Sequence, residues 1–326
     1  MNTNELLFFE PVFKEKVWGG TKLNKQFNYD VSGDNIGECW GISAHKEGAA
    51  RVRNGHYKGQ TLRELWARER ALFGPVTSEE FPLLVKIIDA SDALSVQVHP
   101  NDELAMAMAG YPYGKTECWY ILDAEPGAKL IYGHQADSKE ELQELVAGGN
   151  WDDLFREVPV EAGDFVHVPS GTVHAIGAGI VLLEVQQSSD ITYRFYDYDR
   201  PGSDGELRPL HIEESIACTR VPDHLSGDSV VKTQHQDSAK AVLVEDPYFH
   251  VHQLNPGRAG GELSVTNPSF LLMTVTEGTG FVRTDSDEHT EITKGDHFIV
   301  PASIDAIHLG GECTIISAYV PGIENQ

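Results

Sequence analysis

Cysteine is scarce and scattered in this 326-residue chain: Cys39, Cys118, Cys218 and Cys313 form no C-x-x-C pair. That excludes a disulfide scaffold and fits reduced thiols in a cytoplasm. Basic residues are scarce too, 25 Lys and Arg against 50 Asp and Glu, for a formal charge of -25. A field of that sign disfavours nucleic acid and anionic membranes as partners. No apolar run reaches transmembrane length, and MNTNELLFFEPVF lacks the basic n-region of a signal peptide. The expectation is a cytoplasmic globular protein with no membrane or nucleic-acid partner. The sequence sets no oligomeric state.

What the chain has instead is β-forming sequence. Short alternating or β-branched runs such as LLVKIID, CWYILDA, DFVHVP, IVLLEVQ, ITYRFYD, FLLMTV and GFVRT are separated by Gly, Pro and Asp. This is an all-β pattern of sandwich or barrel type. Helical signals are few. Residues 61–73 open with a T-x-x-E capping box at Thr61 and Glu64 and stop at Gly74, and a second helix is expected over 138–146, ended by Gly148 and Gly149. Trp18, Gly19 and Gly20 read as a tight turn. Residues 201–238 are rich in turn formers. The expected division is therefore 1–210, a connecting segment 211–238, and 239–326.

An internal repeat supports two related β units. AGDFVHVPSGTVHAIG at 162–177 matches KGDHFIVPASIDAIHLG at 294–310, with Gly163 on Gly295 and Pro169 on Pro301. In the second copy Ala306 takes the place of His174 and Ser303 that of Gly171. His308 lies two residues further on, and FLLMTVTEGTGFVRT upstream offers no Gln-x-His or His-x-His pair. Only the first unit is expected to bind metal.

In SVQVHPND, Gln97 and His99 share one strand face while Val96 and Val98 fill the other. The plainer reading is a solvated face. Downstream, Gly163, Pro169, Gly171 and His174 spell G-x5-P-x-G-x-x-H, in which a strand ends, a glycine turns and a histidine opens the next strand. This resembles the second motif of the cupins, jelly-roll barrels that hold a metal inside. The resemblance implies a mainly β chain of two tandem cupin-type barrels with a few short helices. It also implies that Gln97-x-His99 replaces the usual H-x-H, and that Glu117 supplies the carboxylate. Gln97, His99, Glu117 and His174 form a set that suits zinc and would accept iron, manganese or cobalt. One ion per chain is expected.

Longer motifs narrow the resemblance. PVFKEKVWGG (11–20), FPLLVKIIDA and VQVHPND (81–102), GKTECWYIL (114–122) and EVQQSSDITYRFYDYDR (184–200) are similar to type I mannose-6-phosphate isomerase, in that family's order. Only 56 residues lie between Glu117 and His174. That leaves no room for the inserted helical domain of longer members and resembles the short bacterial form. The family's zinc ligands fall on the same four residues and its active-site arginine on Arg194. The implied reaction is interconversion of mannose 6-phosphate and fructose 6-phosphate through a cis-enediol or enediolate, with a small sugar phosphate as the partner.

The phosphate of such a substrate needs cations, and Lys86, Lys115 and Arg194 lie within the motifs. If SDITYRF is extended, Asp190, Thr192 and Arg194 share a face, and Asp190 would orient an Arg194 clamp on phosphate or vicinal oxygens; the alternative is a surface salt bridge. Lys115, two before Glu117, would polarise substrate or move a proton. Lys86 stands in an apolar run, where an unpaired ammonium is costly; an exposed edge is an equal alternative. A dioxygenase cupin or a non-catalytic sugar-binding cupin remains the rival function, and neither gives the three cations a task.

Overall fold

The computed structural model describes residues 5–27, 29–202, 204–223, 230–232, 238–259, 263–266, 269–284 and 289–321. The chain is mainly β, its described residues forming three sheets with a few short helices. A seven-stranded sheet runs in the order Val230–Lys232, Asp164–Val168, Glu117–Ala124, Ile180–Gln187, Leu83–Ala90, Ile36–Ile42 and Val12–Gly20. A five-stranded sheet faces it, ordered Tyr193–Tyr196, Val96–Val98, His174–Ile176, Lys129–His134 and Phe155–Pro159. Trp119, Ile121, Val166 and Leu182 of the first sheet pack against Leu130, Tyr132, Val158 and Ile176 of the second, forming one core.

The other side of the seven-stranded sheet is covered as well. Leu83, Val85, Ile87, Tyr120 and Leu183 share a core with Val251, Leu272, Ile299 and Ile316 from the C-terminal part of the chain. Burial on both faces explains why LLVKIIDA and IVLLEVQQ are continuous apolar runs and not alternating ones. It also means that the even positions of Leu83–Ala90, Lys86 among them, point into the first core.

The C-terminal sheet contains Lys240–Glu245, His250–Leu254, Ala306–Tyr319, Leu271–Arg283 and His297–Val300. Leu7–Glu10 joins its edge through Leu7 opposite Ile299, and Arg51–Val52 continues beyond. The N-terminal segment thus contributes strands to both halves. Within 211–238, expected as a connecting segment, the described residues include the helix Ile212–Cys218 and the strand Val230–Lys232, which pairs with Asp164–Val168.

The repeat has the same turn in both copies. Gly163 and Gly295 both have φ of 93°. Asp164 accepts a hydrogen bond from the Glu161 amide at 2.9 Å, and Asp296 accepts from the Thr293 amide at 2.8 Å. Other local signals also hold. Thr61 and Glu64 form a reciprocal capping box on Leu62–Arg68, and Ser138 caps Lys139–Gly148, which ends at a left-handed Gly149. Trp18, Gly19 and Gly20, in contrast, are strand and not turn. They end Val12–Gly20, where a side chain at Gly20 would meet the Asp89 carboxylate.

Candidate metal centre

Register assembles the site. Gln97 is paired with His174 on one side and with Arg194 on the other, so one row across the five-stranded sheet reads Arg194, Gln97, His174. Directly paired residues project to the same face. On the opposing sheet Glu117 pairs with Gln186, and Trp119, two residues on, with Glu184. Facing sheets therefore bring sequence-distant candidate ligands together.

His99, Glu117 and His174 are buried, with ligand atoms all within 4.8 Å of one another. The His99 and His174 Nε2 atoms lie 3.5 Å and 3.3 Å from the two Glu117 oxygens. Each imidazole turns its Nδ1 to a backbone carbonyl, Ile191 at 2.8 Å for His99 and Thr172 at 2.9 Å for His174. A carbonyl only accepts, so the proton sits on Nδ1 and the Nε2 lone pair faces the centre, the arrangement used by metal-ligating histidines. Burial holds both rings neutral. His99 titrates well below the usual range, with Lys115 and His174 adding to the effect, and His174 is pushed down to about 4, with Lys115 assisting.

No donor is aligned on either Glu117 oxygen or on His174 Nε2. Lys115 makes an ion pair with Glu117 at 2.7 Å and hydrogen-bonds His99 Nε2 at 3.0 Å. Lys115 leaves Glu117 Oε1 and His174 Nε2 facing each other as buried acceptors without a donor, which is costly unless a cation takes their lone pairs. Two imidazoles and a carboxylate fit a divalent transition metal, with Gln97, half-buried beside them, as a further oxygen donor.

Arg194 lies on the strand Tyr193–Tyr196, and its buried Nε has no hydrogen-bond partner. Desolvation, with Arg208 adding, lowers its affinity for the proton. Asp190 does not orient it. The strand begins only at Tyr193, and the Asp190 carboxylate, 61% exposed, faces His45 Nε2 at 3.6 Å. Lys86 is not on an exposed edge. It is buried, 2.6 Å from Glu184 and 3.9 Å from Glu38. Burial alone would depress the ammonium, but the two carboxylates more than offset that and raise its pKa.

Glu184 and Glu38 were missed from the sequence. Glu184 reaches the cluster through Trp119, accepting the indole N–H at 3.0 Å, while the Trp119 ring packs edge-on against His174 with centroids 5.4 Å apart. An acid in the middle of the apolar run IVLLEVQ was the available signal, matched by Lys86 in LLVKII.

A mainly β chain whose paired sheets enclose a buried His, Glu, His cluster has the architecture of a metal-binding cupin. The family described as phosphomannose isomerase type I, catalytic domain, matches residues 6–126, and the mannose-6-phosphate isomerase cupin domain matches residues 239–320. Mannose-6-phosphate isomerase ManA of Bacillus subtilis is 48% identical over 316 residues, covering 96% of this chain and 99% of the relative. Mannose-6-phosphate isomerase of Streptococcus mutans is 45% identical, covering 97% and 98%. The crystal structure of mannose 6-phosphate isomerase from Bacillus subtilis superposes with a TM-score of 0.89 at 42% identity, covering 96% of this chain and 99% of that one. The chain belongs to the type I phosphomannose isomerase family.

Proposed function

We infer that this chain is a metal-dependent aldose-ketose isomerase interconverting mannose 6-phosphate and fructose 6-phosphate. Family membership over nearly the whole chain carries the reaction, and the buried cluster of His99, Glu117 and His174, with Glu117 Oε1 and His174 Nε2 lacking a donor, supports the metal requirement. The rival readings, a dioxygenase or a non-catalytic sugar binder, have no comparable support. His99, Glu117 and His174 would hold the ion, with Gln97 as the fourth ligand; zinc, one ion per chain, is the proposed occupant. Bound there, a divalent ion supplies Lewis-acid polarisation of substrate oxygens.

The chain's own groups do the rest. Lys115, held against Glu117 and His99, places an ammonium at the candidate metal cluster and is assigned to polarising the substrate or moving the proton between C1 and C2 through a cis-enediol. Arg194, with an unpartnered Nε in the ligand row, is assigned to the phosphate or vicinal oxygens, which its planar fork matches. Lys86 is already engaged by Glu184 and, at longer range, Glu38, so its part is to hold those buried carboxylates in place beside the cluster. The two sheets form a jelly-roll barrel in this reading. Cytoplasmic residence fits the four buried free cysteines. Among the described residues no helix is long and apolar enough to cross a membrane.

The test is conversion of mannose 6-phosphate to fructose 6-phosphate by purified protein, with and without chelator. Turnover that stops with chelator and returns on adding zinc is expected. No turnover by metal-loaded protein would remove the reading.

A further inference from the structure

A cavity of about 550 Å³ lies between the helix Leu62–Arg68, residues 44–46 and the segment 188–191. The metal centre does not use it. His99 presents Nε2 to Lys115 and Glu117, and Nδ1 to the carbonyl of Ile191. Ile191 also lines the cavity, so the 188–191 segment is a wall with the centre on one side and the cavity on the other.

The lining joins three chemistries. Lys46 and Arg63 are exposed cations with no carboxylate partner among the described residues, in a protein with a large acidic excess. Arg70 is committed, donating to the carbonyls of Val76 and Ser78 at 2.7 and 3.0 Å and stacking on Trp66 at 3.7 Å. Glu79, Glu80 and Asp190 supply acceptors. Glu80 takes the Tyr111 hydroxyl at 2.7 Å through one oxygen and keeps further lone pairs. Tyr111 adds an aromatic face.

A bare anion would be repelled by those carboxylates, and a neutral sugar would leave Lys46 and Arg63 without a task. A phosphorylated sugar uses all three parts: cations for phosphate, carboxylates for hydroxyls and an aromatic ring for the C–H face. The volume is in the range of small-molecule sites. We propose that this cavity is a second sugar-phosphate site, separate from the metal centre and built on Lys46 and Arg63. The proposal rests on the isomerase reading for its ligand class.

The probe is mannitol 6-phosphate, which has no carbonyl and cannot turn over, titrated by calorimetry into zinc-loaded protein. Wild type should bind two molecules per chain. Lys46→Ala/Arg63→Ala should bind one, its cavity affinity falling on the order of tenfold or more, with kcat and KM for mannose 6-phosphate unchanged. Arg194→Ala should retain the cavity site alone. One molecule per wild-type chain, two in the double variant, or a raised KM in the double variant would overturn the proposal. Were wild type inactive on mannose 6-phosphate, the functional reading alone would fall, and the site count in the variants would still decide the cavity.

Discussion

Lys86 and Glu184 face each other across neighbouring strands of the seven-stranded sheet, Nζ 2.6 Å from Oε2, with both side chains about nine-tenths buried or more. A lone charge at this depth costs several kcal/mol, so each partner keeps the other ionised. Their value to the protein is greatest as a pair.

Lys86→Met is therefore expected to destabilise the chelated protein by about 3–5 kcal/mol, because Glu184 loses its nearer cation. Adding Glu184→Gln should recover part of that loss. Urea denaturation of wild type, the single variants and the double variant measures the coupling. Additive losses would show that the two residues do not act as a pair.

Arg194→Lys should keep the fold and the bound metal while lowering kcat/KM roughly 10- to 100-fold. That range corresponds to losing a charge-assisted contact of about 1.5–3 kcal/mol. An ammonium cannot reproduce the two-pronged contact. Steady-state kinetics beside elemental analysis gives the answer, and near wild-type kinetics would remove Arg194 from the site.

A third expectation concerns His297, buried between Tyr29 and Thr274, each 2.9 Å from a ring nitrogen, with the Cys39 thiol at 3.9 Å and Arg53 adding positive charge. Burial pushes its pKa from 6.5 down to about 3. Unfolded, the ring takes a proton below 6.5; folded, it does not until about 3. Stability from this group is thus complete above pH 6.5 and falls as pH drops toward 3, by about 1.4 kcal/mol per pH unit. His297→Gln lacks that component, so its deficit relative to wild type should shrink by this slope between pH 6.5 and 4. A deficit that does not change with pH would show that His297 titrates normally.

The residues that the sequence marked out most clearly are those whose role is local. A capping box is four residues long, and the turn at Gly163 needs only its neighbours, so both were legible. The three buried side chains of the candidate metal cluster, His99, Glu117 and His174, had been singled out through motifs and spacing, and the fold brings them together. What local patterns do not encode is strand pairing. That Lys86 would face Glu184, or that Arg194, Gln97 and His174 would line one row, follows from register between segments far apart in the chain. The placement of Asp190 failed for a local reason: the extension assumed for SDITYRF begins only at Tyr193. Trp18 to Gly20 misled because adjacent glycines ordinarily signal a turn, whereas here they let the strand pass close to Asn35 and Asp89.

The last prediction is one metal ion per chain. The second unit does contain an H-x-H pair, His250 and His252 on His250–Leu254, which the sequence reading overlooked. Register decides what these histidines replace. In the first unit one row reads Val166, Trp119, Glu184, Lys86; in the second, Phe298, Met273, Ser317, His252. The repeat sets Val166 on Phe298, so His252 stands where Lys86 does and not where a ligand does. Two residues back along the same strand, Glu117 pairs with Val168 and its counterpart Leu271 pairs with Val300. The carboxylate is thus replaced by a buried leucine, and His174 by Ala306. Without those two ligands the second core has no site equivalent to the first. Elemental analysis should find one tightly held ion in wild type and none in His174→Ala. An ion that persists in His174→Ala and is lost on adding His252→Ala would place a metal in the second unit and refute the register argument.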